Sequence, residues 1–300
     1  REGVLRLFQS RSAVCIRRMT MRETVITLEP GHPRYPNCFL ELEAPPKALQ
    51  VIGSLDALEP SRCISIVGAR EASRRALDWM DQHLGRYLEM SPDAIVVSGG
   101  ARGIDQRAHL ASVRKNRPTV VFLPAGLERI YPPDLREWID PILRAGGAFV
   151  SPYPPTQEIR RSHFEGRNRL IAALGRLLFV VEARRRSGSL MTARLASELG
   201  RTIAVIPSFP SDVNAMGSLD LIVDGGAQII RDAKDLAALD GLERSAPRAA
   251  KHPERCDGEE SVGNPHHEPR NDLTFSCESF GGDEKDVVGD DERQGDHRSP

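Results

Sequence analysis

Apolar residues in this chain fall into short, nearly unbroken runs, each followed by a polar or glycine-bearing turn and then by a stretch where apolar positions recur every three to four residues. The runs predict strands at 63–67, 94–97, 119–123, 148–150, 177–181, 202–206 and 228–230, because uninterrupted β-branched residues suit a strand covered on both faces. Helical spacing predicts helices at about 73–89, 105–115, 134–144, 167–174, 189–199 and 218–223. In the first of these Leu77, Met80, Leu84 and Leu88 share one face, with charged residues opposite. Strand and helix alternate. That order predicts the α/β class, with a doubly wound, mostly parallel sheet and helices on both faces.

The flanks read differently. Residues 25–60 are rich in turn residues, and Pro33, Pro36, Pro45 and Pro46 exclude a long helix, so an extended lead-in is expected, strand-like at 49–52 and packed on the core. Residues 1–24 carry little pattern and read as poorly ordered. The missing initiator Met reads as a fragment or a processed start, with Met19 or Met21 as candidate beginnings. From 241 to 300 only seven residues are Ile, Leu, Val or Phe, too few to offset the entropy of ordering, which predicts a disordered tail after a core spanning 61–240.

Charge sharpens that division. The net charge of -1 hides a tail with 15 acidic and 8 basic residues, net -7, and a remainder with 33 basic and 27 acidic, net +6. A basic core permits a polyanionic partner where the charges cluster. The five cysteines, Cys15, Cys38, Cys63, Cys256 and Cys277, form no CxxC pair, which fits a reducing cytoplasm and no disulfide framework. His266 and His267 with Cys256 and Cys277 match no metal-ligand spacing. No apolar run approaches the roughly 18 residues of a membrane span.

Three glycine-bearing turns follow predicted strands: VGAR at 67–70, SGGARG at 98–103 and RSGSLMT at 186–192. Turns of this kind bring backbone N–H groups and a helix N-terminus close to a ligand, a geometry that suits phosphate. A tight connection with no ligand is the plainer reading of any one of them. Together they should lie along the sheet edge where open α/β folds bind.

Ten arginines and only three acids, Glu165, Glu182 and Glu198, fall between 160 and 201. Arginine's planar fork pairs bidentately with phosphate and stacks on bases, which lysine cannot do. Arg184, Arg185 and Arg186 alone read as a solvated face. Arg167 and Arg169 bracket Asn168 at a predicted helix start, so one or both should face the glycine turns. Phe164 is either core or, beside Arg161 and Arg167, a base-stacking platform. Asp105 and His109, four apart on a predicted helix, could face each other. No nucleophile motif accompanies them, so capping and structural roles are expected. Glu182, at a strand end, takes the position of a catalytic or ribose-binding acid or, equally, of an anchor for Arg169 or Arg186.

These segments, with GLERIYPPDL at 126–135, FEGRNRLIAAL at 164–174 and GSLDLIVDGGA at 217–227 in the same register, resemble the DNA-processing protein A (DprA/Smf) family from about His32 to Gln228. The resemblance implies an extended Rossmann-like domain in the cytoplasm. It implies a homodimer that binds single-stranded DNA and loads it onto the RecA recombinase in natural transformation, with no metal, cofactor or covalent chemistry. The implied pocket is Arg70, Ser98, Gly99, Arg161, Phe164, Arg167, Asn168, Arg169, Ser187 and Gly188. The family usually has SGLA where this chain has Ser98, Gly99, Gly100 and Ala101, a glutamate at Pro152, and an asparagine at Leu219. The alternative is a nucleotide sensor or nucleoside-monophosphate phosphoribohydrolase of a related Rossmann-like superfamily, with Glu182 or Asp105 catalytic. Its GGxGTxxE signature is missing.

Overall fold

A computed structural model describes residues 25–245. Nine strands form one sheet: β1 (Ile26–Leu28), β2 (Leu49–Gly53), β3 (Cys63–Val67), β4 (Ile95–Ser98), β5 (Thr119–Phe122), β6 (Ala148–Ser151), β7 (Leu177–Val180), β8 (Thr202–Val205) and β9 (Gln228–Ile229). Their spatial order is β1-β2-β6-β5-β4-β3-β7-β8-β9. The lead-in strands β1 and β2 pair antiparallel and cover the β6 edge, while every other pairing is parallel. The chain winds outward from β3 through β4 and β5 to β6, then returns to lay β7 on the other side of β3. The switch point therefore lies between β3 and β7, and the crevice at the carboxyl ends of such strands is where open α/β sheets bind ligands.

Among the described residues eight α-helices accompany the sheet: α1 (Arg74–Trp79), α2 (Gly85–Met90), α3 (Ile104–Arg114), α4 (Ile139–Arg144), α5 (Arg161–Leu174), α6 (Gly188–Glu198), α7 (Met216–Val223) and α8 (Ala233–Ser245). A π-helical turn, Met80–Leu84, joins α1 and α2 into one rod. Alternation along β3 divides the core. Ile64 and Ile66 meet Met80, Leu84, Leu88, Ile104 and Leu236 on one face. Cys63 and Val67 meet Leu170, Leu174, Ala193 and Ala196 on the other. A third cluster gathers Ile52, Val121, Leu135, Ile142 and Phe149.

The α/β class and each expected strand are found, and the structure corrects several boundaries. Helix α5 starts six residues before the expected 167, because its first turns are polar and carry no apolar stripe to read. The expected helix at 134–144 begins as a 3-10 turn, Pro133–Trp138. Strand β1 was not anticipated. Nor was α8, whose buried positions are Ala233, Leu236 and Asp240, a stripe with little apolar signal. The expected core boundary at 240 thus falls inside a helix. Residues 1–24 and 246–300, with His266, His267, Cys256 and Cys277, lie outside the described residues.

Asp240 is fully buried and pairs with Arg176 of the α5–β7 turn, whose guanidinium also donates to the carbonyls of Ser61 (2.9 Å) and Cys63 (3.2 Å). Burial and the nearby Asp240 push the Tyr87 phenol well above its ordinary range. The pair clamps α8 to the sheet. Asp240→Ala should leave Arg176 buried without its carboxylate and cost about 3–5 kcal/mol, read as a lower midpoint in urea unfolding.

Candidate phosphate and nucleic-acid groove

At the switch point the turns after β3, β4 and β7 converge with the N-terminal half of α5 on a groove of about 870 Å³. Its organising residue is Arg167. The residue is 5% exposed and its side chain lies across the β4 turn: a Cβ added at Gly99 would fall 1.1 Å from an Arg167 guanidinium nitrogen. Only glycine leaves that space. Asp105 Oδ2 accepts from the backbone N–H groups of Gly99 (3.2 Å) and Ala101 (3.3 Å) and lies 3.8 Å from the Arg167 guanidinium. Burial raises the Asp105 pKa, opposed by Arg167 and the loop N–H groups. Burial lowers that of Arg167, opposed by Asp105. Arginine stays charged across ordinary pH. Its Nε is buried without a hydrogen-bond partner, as are those of Arg169, Arg176 and Arg201.

The loops lock together. Gly103, at φ +84°, turns the chain so that Ile104 N–H donates to Ala69 O at 3.2 Å, joining the β3 and β4 turns. Across the groove Ser187 caps α6 by accepting from Leu190 N–H at 3.3 Å. Gly188 and Ser189 line the groove in the first turn of α6, where N–H groups lack intrahelical partners and favour an anion.

Seven of the ten expected residues come together here: Arg70, Arg161, Phe164, Arg167, Asn168, Ser187 and Gly188. Arg161, Phe164 and Asn168 fall at i, i+3 and i+7 on α5, and so share one helical face. Gly99 lines an adjoining hollow. Ser98 is fully buried, its hydroxyl donating to Ile66 O at 2.6 Å to tie β4 to β3. Arg169 pairs with Glu165 at 2.7 Å and lines a separate hollow with Leu42 and Tyr153. Of Arg167 and Arg169, only the first faces the glycine turns.

Phe164 is half-buried rather than core. The Arg70 and Arg167 guanidinium carbons lie 5.6 and 5.8 Å from its ring centre, and Tyr131 meets it edge-on at 6.0 Å. Arg184, read with its neighbours as a solvated face, reaches the groove and donates to Asn214 Oδ1 at 2.6 Å. Arg185 pairs with Asp220. Tyr131 lines both cavities and was assigned no role from sequence, although its motif had been singled out. A lone aromatic in a proline-rich turn gives no periodic signal.

The expected carboxylates are occupied. Glu182 is buried and accepts from Ser73 N–H at 2.7 Å, ahead of α1. Asp105 holds the β4 turn and does not pair with His109. His109 is buried, with Nδ1 2.8 Å from Thr119 Oγ1. Among the described residues no helix is long and apolar enough to span a membrane.

Buried arginine, a glycine turn and a helix N-terminus gathered at a doubly wound switch point define a Rossmann-like protein, with its candidate groove where open α/β sheets of this class bind ligands. The DNA recombination-mediator protein A family model matches residues 26–239, and the chain belongs to that family. It is 37% identical to the Synechocystis protein Smf over 218 residues, 72% of this chain and 54% of that protein. It is 32% identical to the Streptococcus pneumoniae DNA processing protein DprA over 204 residues, 68% of this chain and 70% of that protein. The chain thus spans about half the length of the Synechocystis relative. The X-ray structure of the pneumococcal protein superposes with a TM-score of 0.66 at 31% identity, covering 72% of this chain and 74% of that one. The Helicobacter pylori DNA processing protein A, described for its single-stranded DNA binding mode, gives 0.63 at 29%, covering 72% and 94%.

His109 sets a pH limit on this scaffold. Burial, then the charge of Arg167, lowers its pKa from 6.5 to about 3. Between these values the unfolded chain binds the extra proton, so stability falls as pH falls below 6.5. By about pH 5 the loss should reach roughly 2 kcal/mol. His109→Gln should flatten that part of the curve of Tm against pH.

Proposed function

We propose that this chain is a non-catalytic binding module for single-stranded DNA, with the groove at the β3–β7 switch point as its site. The observation that carries the reading is Arg167: a guanidinium in the groove wall, only loosely paired to Asp105 at 3.8 Å, on a groove that the first turn of α6 also lines. A phosphate oxygen supplies the acceptor that such a cation lacks. Phe164, between cations and partly open, suits stacking by unpaired bases, worth roughly 1–3 kcal/mol per base. The engagement of Glu182 and Asp105 in holding backbone favours binding over hydrolysis. Family membership and the single-stranded DNA binding of the H. pylori protein support the same ligand. On this reading the protein works in the cytoplasm without a cofactor, as a homodimer that protects incoming strands and hands them to RecA during natural transformation.

Fluorescent oligothymidine of a few tens of nucleotides should bind with sub-micromolar affinity and in preference to duplex of equal length. Arg70 and Arg161 are exposed, so replacing both with Ala should leave the fold intact. If each neutralises one phosphate, the slope of log affinity against log salt should become shallower by about 1.4. Arg169→Ala should change affinity little. Absence of wild-type binding at low salt would overturn the reading.

A further inference from the structure

The arginine offered to phosphate has a carboxylate for a neighbour. Asp105 is buried, yet it lines the same groove as Arg167. The β4 turn supplies the N–H groups of Gly99 and Ala101 to its Oδ2, with the Ser98 hydroxyl close by, and α5 supplies the Arg167 guanidinium at 3.8 Å. On α3 itself, His109 follows one turn later and is engaged with Thr119. Beyond Arg167 stand Arg70 on the β3 turn and Tyr153 after β6, while Glu71 and Arg184 line the groove further out. A phosphate that reaches Arg167 therefore arrives beside a buried negative charge. Two anions on one guanidinium in a site of low dielectric repel each other, and the weaker acid relieves the repulsion by taking a proton. A phosphodiester stays ionised. The carboxylate, which burial already pushes toward its neutral form, is the group that yields.

Resting on the single-stranded DNA reading of the groove, we propose that Asp105 is the positioning residue of its phosphate site and that DNA binding is coupled to the uptake of one proton by this carboxylate. In the free protein the carboxylate holds the β4 turn and keeps Arg167 over Gly99. When phosphate takes the guanidinium, a proton from solvent joins one Asp105 oxygen. The other oxygen continues to accept from the turn, so the floor under Arg167 keeps its shape. The sign of the pH dependence follows by linkage. The complex holds a proton that the free protein lacks, so affinity rises as pH falls, by at most about tenfold per pH unit.

The test is calorimetric titration of the whole chain with oligothymidine, at about pH 6 and about pH 7.5, in pairs of buffers that differ in ionisation heat. The heat difference within a pair counts the protons. Wild type should take up protons and bind about threefold or more tighter at the lower pH. Asp105→Asn keeps an oxygen for the turn, so it should bind with no uptake and a flat pH profile, whereas Asp105→Ala should lose affinity at both pH values. A purely structural Asp105 would leave the pH profile of the Asn variant unchanged. Uptake that survives in Asp105→Asn would belong to another group, such as His109 or His163, and would overturn the proposal. Should the Asn variant fail to fold, His109→Gln and His163→Gln decide the matter: both should retain the uptake, and its loss in either would overturn the assignment to Asp105. Wild-type binding with no proton uptake would also overturn it and leave the groove standing. Absence of wild-type binding would instead overturn the reading of the groove.

Discussion

A guanidinium buried beneath a protein surface needs acceptors, and the supply of them around Arg167 shapes this structure's binding edge. One carboxylate, Asp105, serves three donors at once: two loop N–H groups and, at a longer reach, the arginine. Its neighbours oppose the cost of burying it, and it in turn opposes the cost of burying Arg167. Neither residue is independent. The turn that Asp105 holds is also the floor on which the guanidinium rests, and that floor exists because position 99 has no side chain. An isolated buried ion pair contributes little net stability. Here its looseness is the useful property, since a carboxylate 3.8 Å away leaves the guanidinium room for a second acceptor.

Topology decides which elements can share that space. Because β7 returns to the side of β3 away from β4, the turns after β4, β3 and β7 stand in a row, and α6 enters from one face while α3 enters from the other. Helix α5 is the crossover that makes the return. It passes close over β3, where Ser65 Oγ donates to Ile171 O at 2.5 Å and a Cβ at Gly175 would strike the same hydroxyl. That close passage holds the C-terminal half of α5 in the core. The polar N-terminal half projects over the turns, carrying Arg161, Phe164 and Arg167.

The same division explains what could be read from the sequence. Strands were legible because β-branched runs have one solution in a covered sheet, and the three turns were legible because glycine marks close approach. Where polar side chains set the structure, periodicity fell silent. The first half of α5 carries no apolar stripe, so its start was placed six residues late. Ser98 and Arg169 carried the right chemistry in the right motif, but a strand end points one hydroxyl into the sheet, and two residues of rotation on a helix send the second arginine to another hollow. Tyr131 was missed in the opposite sense: it lines the groove from a proline-rich turn inside a recognised motif, where no apolar periodicity marks any one residue.

The groove's charge is modest, and that bears on how it could work. Arg70, Arg161, Arg167 and Arg184 face Glu71, Asp105 and Glu165, so the lining is not a simple basic patch. Glu165 is exposed and paired with Arg169, Asp105 is buried with the loop and Arg167, and Glu71 is exposed and lies 3.8 Å from Arg184. Attraction at long range is therefore weak and screened within a Debye length of about 8 Å at physiological salt. Discrimination falls to short-range terms, namely a fixed guanidinium, the N–H groups of one helix end and aromatic surface. A site balanced in this way favours a ligand that places phosphate and ring together over one that offers negative charge alone.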